Sequence, residues 1–219
     1  MVKEGYWYAL PLALIAAGAL ALGLYFAGLL FLLLTLFVLN FFRDPNRVLP
    51  SDPAAIVSPA DGRVVQIADE TYAGSRVRRV SIFMSPIDVH VNRSPVAGTV
   101  TDVAYHPGKF RVASQQRAST ENEQNVFTVA SAAGPVVVKQ IAGLVARRIV
   151  FWKRVGDELG RGERVGLIKF GSRVDVLLDP ALELRVTTGD RVRAGCSVLA
   201  LASGRNVDIA LPDPERRSR

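Results

Sequence analysis

Residues 155–179, VGDELGRGERVGLIKFGSRVDVLLD, hold the pattern that decides the fold. The first part of this stretch returns 33 positions later as TGDRVRAGCSVLAL, residues 188–201, with Gly156, Gly162 and Val165 matched by Gly189, Gly195 and Val198. Each copy reads as a turn, a tight glycine bend and a strand. Outward from it, the runs RVVQIA, RVRRVSIFM, DVHVN, GTVTDVAY, NVFTVAS, GPVVVKQIAG, RVDVLLD and SVLALA are short, dense in Val and Ile, and bounded by Gly, Pro, Asp and Asn. That is the composition of strands. A mainly β domain, a barrel or sandwich, is therefore expected over residues 48–219.

The duplicated glycine frame resembles barrel-sandwich modules such as the lipoyl and biotinyl carriers, which implies their architecture but not their function. A carrier displays a modifiable lysine at a hairpin tip. Lys109, Lys139, Lys153 and Lys169 lie in no Met-Lys-Met or Asp-Lys-Ala context, and Lys169 stands two residues before Gly171 instead.

Ahead of this domain, Gly5 to Phe42 is an uncharged, mostly aliphatic run of 38 positions. As one helix it would extend about 57 Å, close to twice a hydrocarbon core of ~30 Å. Gly18, Gly23 and Gly28 offer a break, and residues 6–22 and 24–40 would each reach the lower limit of ~17 residues for a span. The expectation over residues 1–47 is a hydrophobic helical hairpin or re-entrant pair serving as membrane anchor, followed by a connector. Tyr6, Trp7 and Tyr8 are its interfacial anchors, with Arg43 and Arg47 near the other end. A cleaved secretory signal fits less well, because the run continues about twenty residues past GALALG, beyond an h-region of ~7 to 15. FFRDPNRVLPSDP, with Pro45, Pro50 and Pro53, ends the helix as an irregular connector. Basic residues at both ends, Lys3 and Arg43 with Arg47, suit a hairpin in the inner cell membrane with both ends and the β domain in the cytoplasm.

Lys plus Arg number 27 against 20 Asp plus Glu, a formal net charge of +7, which favours anionic phospholipid surfaces. Nucleic acid is not an expected partner: the basic residues are scattered pairs such as Arg78-Arg79 and Lys153-Arg154, with no reading-helix or RNP-type motif. The single Cys196 excludes an intramolecular disulfide and reads as a small buried side chain. No Cys or His cluster has ligand spacing, so no metal is expected.

The chemistry begins at Gly171-Ser172. A serine that follows a glycine in a β context can attack the glycine carbonyl through Oγ. The amide becomes an ester, β-elimination breaks the chain, and hydrolysis leaves a pyruvoyl group at the new N-terminus. A Gly-Ser pair is ordinarily a turn, so the surrounding polar residues carry the argument. Asp61 follows a proline turn in SPADG, and His90 lies in a β run between Val89 and Val91. With period-two alternation His90 shares a face with Asp88 and Asn92, making Asp88 the local and Asp61 the distant candidate for orienting its imidazole. A histidine held by a carboxylate can deprotonate a serine hydroxyl. His106, in AYHPGKF, reads as a solvated loop residue.

SPADG, SPIDVHVNRSP and KFGS, in this order behind an apolar N-terminus ending FFRDPNR, resemble the phosphatidylserine decarboxylase proenzymes, most closely their short bacterial and archaeal type. The resemblance covers nearly the whole chain. It implies a self-processing triad of Asp61, His90 and Ser172. It also implies cleavage between Gly171 and Ser172 into a β chain, residues 1–171, and an α chain, residues 172–219, which stay together as a heterodimer. Ser172 would become the covalent pyruvoyl cofactor and Schiff-base centre that accepts the electrons left when phosphatidylserine loses CO2 to give phosphatidylethanolamine at the bilayer surface. Longer family members carry a second histidine three residues after the one aligned with His90; here that place is Arg93. Asn92, Arg93 and the loop from His106 to Arg111 are candidates for binding the phosphate and carboxylate of the lipid. A homo-oligomer is left open.

Two other classes compete. A membrane-anchored barrel-sandwich adaptor without catalytic activity accounts for the anchor and the repeat, but gives no reason to combine Asp61, His90 and Ser172. A serine hydrolase built on the same three residues lacks a G-x-S-x-G elbow.

Overall fold

The structure, a computed structural model, describes residues 1–108, 121–143, 148–169 and 172–202. Gly171, positions 109–111 of the candidate binding loop and residues 203–219 of the expected α chain lie outside the described residues.

Two helices open the chain, α1 (Lys3–Ala21) and α2 (Tyr25–Phe41). Between them Gly23 takes φ 75°, a left-handed conformation that costs glycine little. The Val2 N–H donates to the Phe42 carbonyl at 3.1 Å, so the start of α1 and the end of α2 lie together and the Leu22–Leu24 turn lies at the far end. The helices run a few residues from the expected 6–22 and 24–40. No helix among the described residues is long and apolar enough to cross a membrane: α2 has 17 residues, and α1 includes Lys3, Glu4 and Pro11.

The rest is mainly β. In chain order the strands are β1 (Ala55–Val57), β2 (Gly62–Tyr72), β3 (Ser75–Met84), β4 (Val91–Arg93), β5 (Gly98–His106), β6 (Gln124–Ser131) and β7 (Gly134–Ala142). They continue with β8 (Ile149–Phe151), β9 (Glu158–Leu159), β10 (Arg164–Ile168), β11 (Ser172–Leu178), β12 (Glu183–Leu184), β13 (Arg191–Val192) and β14 (Val198–Leu201). An eight-stranded sheet in the order β13-β2-β3-β11-β7-β6-β5-β9 curls as a half-barrel, joined by two three-stranded sheets, β1-β14-β12 and β4-β10-β8. Alternate residues Val80 and Ile82, Phe127 and Val129, Val136 and Val138, and Val174 and Val176 fill the core from the large sheet, as period-two strands require.

The glycine repeat is a structural repeat. Gly156, Gly162, Gly189 and Gly195 all have φ between 73° and 105°, which only glycine adopts readily. The frame extends to a second pair of segments, SPADGRV at residues 58–64 and SPVAGTV at residues 94–100. Ser58 Oγ donates to the Ala60 carbonyl at 2.7 Å, and Ser94 Oγ to that of Val96 at 2.6 Å. Gly195 N–H donates to Ser58 O and Gly162 N–H to Ser94 O, both at 2.8 Å. The halves exchange bonds reciprocally: Val57 N–H donates to Pro95 O and Arg93 N–H to Pro59 O, both at 2.9 Å. Two similar halves thus interlock around one core.

Three local expectations need correction. DVHVN is not one strand: β4 begins at Val91, because Ser85–Asp88 forms a turn in which Asp88 N–H donates to Ser85 O and the Asp88 carboxylate accepts from Ser85 N–H, both at 2.8 Å. Proline at the second position of that turn, Pro86, suits it. His106 is exposed but ends β5 rather than lying in a loop. Cys196 is half-buried, in the turn that begins after β13.

Candidate active site

Ser172 opens β11 with its backbone paired on both sides, to Met84 of β3 and Ala142 of β7. It is completely buried. The same core-facing rows that carry valine and isoleucine elsewhere end here in Ser172, Met84, Gln140 and Asn125. These groups connect: Ser172 Oγ donates to Met84 Sδ at 3.4 Å, and Asn92 Nδ2 lies 3.8 Å from the same sulfur. Gln140 Nε2 donates to Asn92 Oδ1 at 2.8 Å, and Asn125 Nδ2 donates to Gln140 Oε1 at 3.0 Å. A thioether is a weak acceptor, so the serine hydroxyl is held without being tied to a strong partner. Met84, Gln140 and Asn125 were not among the sequence candidates. The signal that would have exposed Gln140 and Asn125 is a polar residue where the strand period calls for an apolar one.

His90 stands just ahead of β4 and is only 2% exposed. The Ile168 N–H points at the His90 carbonyl, 3.4 Å away, so the register sets His90 against the chain that leads from β10 towards Ser172. The ring of Phe41, the last residue of α2, lies with its centroid 4.1 Å from that of the imidazole. Burial lowers the His90 pKa to about 4, further depressed by the Arg43 charge and partly opposed by the Asp88 carbonyl and Asp61. The ring is therefore neutral near pH 7. Nδ1 lies 3.0 Å from the Asp88 carbonyl oxygen, and since a carbonyl only accepts, Nδ1 carries the proton. Nε2, buried and without a hydrogen-bond partner among the described residues, is left with its lone pair free. A neutral imidazole with a free lone pair can accept a proton.

The carboxylates take other work. Asp88 orients His90 through its main-chain oxygen, while its carboxylate caps the Ser85 turn. Asp61 accepts from Arg47 NH2 at 2.8 and 2.9 Å and from the Ala194 N–H at 2.8 Å, and acts on His90 through its charge. Arg93 is buried too: it donates to Asp44 at 2.8 Å, Gly162 O at 3.0 Å and Pro45 O at 3.2 Å, which pins the connector after α2 to the domain. Burial lowers its pKa, as do the neighbouring Arg164 and Arg47, against the pull of Asp44.

The helices form one wall of the site. Phe42 stacks on Tyr8 at 5.6 Å, and the Tyr8 hydroxyl lies 3.2 Å from Lys169 Nζ. Val38, Phe41 and Phe42 pack with Val89, Val91 and Leu167 of the β domain. On the far face of β11, Arg173 forms a buried ion pair with Asp175 at 2.6 Å and donates to Ser81 Oγ at 2.7 Å, fixing the strand immediately after Ser172. Among the described residues no group of His, Cys, Asp and Glu has the arrangement to hold a metal ion.

Comparison with known proteins gives the family. The family model described as phosphatidylserine decarboxylase matches residues 34–200. The phosphatidylserine decarboxylase proenzyme of Solibacter usitatus is 53% identical over 204 residues, which span 91% of this chain and 96% of that protein. The proenzyme of Geotalea uraniireducens is 50% identical over 174 residues, 78% of this chain and 82% of its own. That of Cupriavidus pinatubonensis is 44% identical over 202 residues, 90% and 84% of the two chains.

Proposed function

Because this chain belongs to the phosphatidylserine decarboxylase family, we propose that it makes its own carbonyl cofactor from Ser172 and uses it to convert phosphatidylserine to phosphatidylethanolamine at a membrane surface. It is an enzyme of the carboxy-lyase class, which disfavours a non-catalytic adaptor. The observation that carries the self-processing reading is the base form of His90, with Nε2 unpartnered and buried beside the chain that leads to Ser172.

In the processing step His90 Nε2 takes the proton of Ser172 Oγ, and the oxygen attacks the Gly171 carbonyl carbon. The Gly171–Ser172 C–N bond breaks as the ester forms, and the freed Ser172 nitrogen takes the proton that His90 holds. Loss of the Ser172 Cα proton then expels the Gly171 carboxylate from Cβ, and water replaces the amino nitrogen, which leaves as ammonia. Asp61 favours the charged state that His90 passes through, from a distance and through charge alone. Its own hydrogen bonds go to Arg47 and Ala194.

The surroundings of Ser172 suit the resulting pyruvoyl group. Among the described residues Asn92 Nδ2 has only the 3.8 Å sulfur contact, so it has N–H capacity for a carbonyl oxygen, and Gln140 and Asn125 fix its orientation. The group supplies an electrophilic carbonyl that joins the serine amine of the lipid and takes up the electron pair left by CO2. His90 returns the proton to Cα. After cleavage, β11 remains paired to β3 and β7, β13 to β2, and β14 to β1. Those bonds hold the two chains together as a heterodimer.

Membrane attachment falls to the helices. Trp7, Leu14, Leu22, Tyr25 and Phe26 are highly exposed, and the polar ends of both helices face the domain while the Leu22–Leu24 turn points away. The turn end of the pair enters the bilayer, and both outer helix ends stay on the side of the β domain. The barrel-sandwich architecture of the carriers is the finer fold reading that the interlocked repeat supports.

The test is denaturing mass spectrometry of the full-length protein. Two chains divided at Gly171, the smaller lighter by one ammonia than a serine-started peptide, are expected, and Ser172→Ala should remain a single inactive chain. Full decarboxylase activity in uncleaved Ser172→Ala would overturn the proposal.

A further inference from the structure

Four arginines, Arg47, Arg93, Arg161 and Arg164, line one cavity of about 450 Å³ between the connector and the β domain, with Glu163 the only acidic residue in its wall. The local anions do not match them. Asp44 serves both Arg93 and Arg164, at 2.8 and 2.5 Å. Asp61 serves Arg47. Glu163 is engaged by Lys153 and by the Gly160 N–H. Arg161 reaches no carboxylate among the described residues; its bonds go to the carbonyls of Pro50, Asp52 and Ala55. Arg47, whose side chain is only 9% exposed, keeps a buried Nε with no hydrogen-bond partner among the described residues. The wall thus carries surplus positive charge and an unused donor, the provision for an oxyanion.

Beside the cavity lies an apolar groove of about 670 Å³ that shares two lining residues with it, Leu49 and Arg161; Pro53, Val96 and Ala132 line the groove further along. A charged cavity adjacent to an apolar trough matches an amphiphile with a phosphate at one end. We propose that this is a phospholipid-binding site separate from Ser172, with the lipid phosphate among the four arginines and an acyl portion in the groove. Arg47 joins the two regions, since the guanidinium that faces the phosphate also holds Asp61.

The inference does not depend on chemistry at Ser172, and its probe cannot be decarboxylated. Binding of dihexanoyl phosphatidylglycerol and of inorganic phosphate is measured by calorimetry on the full-length protein in an uncharged detergent. The lipid is expected to bind more tightly than inorganic phosphate and to lose tenfold or more affinity in Arg164→Gln, whose side chain is partly exposed and whose folding is checked by circular dichroism. Arg161→Lys, which keeps the charge and loses the planar fork, should weaken both probes. Ala132→Phe, at the exposed lip of the groove, should weaken the lipid and spare inorganic phosphate. Equal affinity for the two probes would refute the lipid assignment. Absence of binding, or wild-type affinity in both arginine variants, would refute the site.

Discussion

His90 gives the most quantitative prediction, because its charge state couples the site to stability. In the unfolded chain it titrates near 6.5, whereas the folded protein holds it neutral down to about 4. As pH falls below 6.5 the unfolded state therefore binds the proton first, and folding loses stability until the folded state also protonates near 4. At ~1.36 kcal/mol per unit, that interval of 2.5 units corresponds to about 3 kcal/mol. The contribution is fully present above pH 7, is lost between about pH 6.5 and 4, and does not change further below that. The perturbation is His90→Asn, which keeps a donor for the Asp88 carbonyl and has no titrating ring. Both proteins carry Ser172→Ala so that intact chains are compared. Urea unfolding at pH 7.5 and 4.5 should show the His90 protein losing about 2 to 3 kcal/mol more than the His90→Asn protein, the carboxylates common to both cancelling in the difference. Equal losses in the two proteins would refute the reasoning, as would a carbon-13 titration of the imidazole with a midpoint near 6.5.

Removing the ring that covers the imidazole, Phe41→Ala, should move the His90 midpoint up from about 4 towards 6.5, read by the same titration, and lower stability by ~3 to 5 kcal/mol. Gln140→Leu removes the link between Asn92 and Asn125; each amide left unpaired costs ~1 to 3 kcal/mol, visible as a lower urea midpoint. Gly162→Ala forces an L-residue to φ 75° and sets a Cβ 2.3 Å from Leu49 Cδ2, so a loss of at least ~1 to 2 kcal/mol is expected in thermal unfolding.

Much of this was legible in the chain. Val- and Ile-rich runs with period two gave the long strands, and the glycine spacing announced the repeat because four left-handed turns leave little choice of residue. The glycine break at Gly23 placed the helices to within a few residues. What sequence pattern could not supply was partnership. Asp61 and Asp88 were both plausible holders of His90, yet a proline turn diverts the Asp88 carboxylate to Ser85, and Arg47, 14 residues before Asp61, takes that carboxylate. For Arg93, the sequence does not show that Asp44 and two carbonyls already engage its guanidinium. Such pairings join distant segments, and nothing periodic marks them. Very short strands such as β9, β12 and β13, of two residues each, also lack room for a pattern.

The interlocked halves explain why chemistry belongs to one side of the molecule. In the repeat, His90, Asn92 and Ala97 occupy the positions of Ala54, Ile56 and Asp61, while Lys169 and Ala194 correspond to Ala202 and Arg161. The apolar groove is lined by Ala54, Ile56, Ala97, Arg161 and Ala202, so it is the counterpart of the region that holds His90, Asn92, Asp61, Ala194 and Lys169. The backbone frame is therefore common to both places, and the side chains and the helices make the difference. On the His90 side, Phe41 and Tyr8 close the surface and exclude water, which is what depresses the imidazole pKa and leaves Nε2 as a base. On the other side alanines replace the imidazole and the carboxylate, no helix covers them among the described residues, and the surface suits an apolar ligand rather than a reaction. Transplanting His and Asp to Ala54 and Ala97 would accordingly yield a solvated histidine with a pKa near 6.5, because the frame without the aromatic cover supplies position but not desolvation.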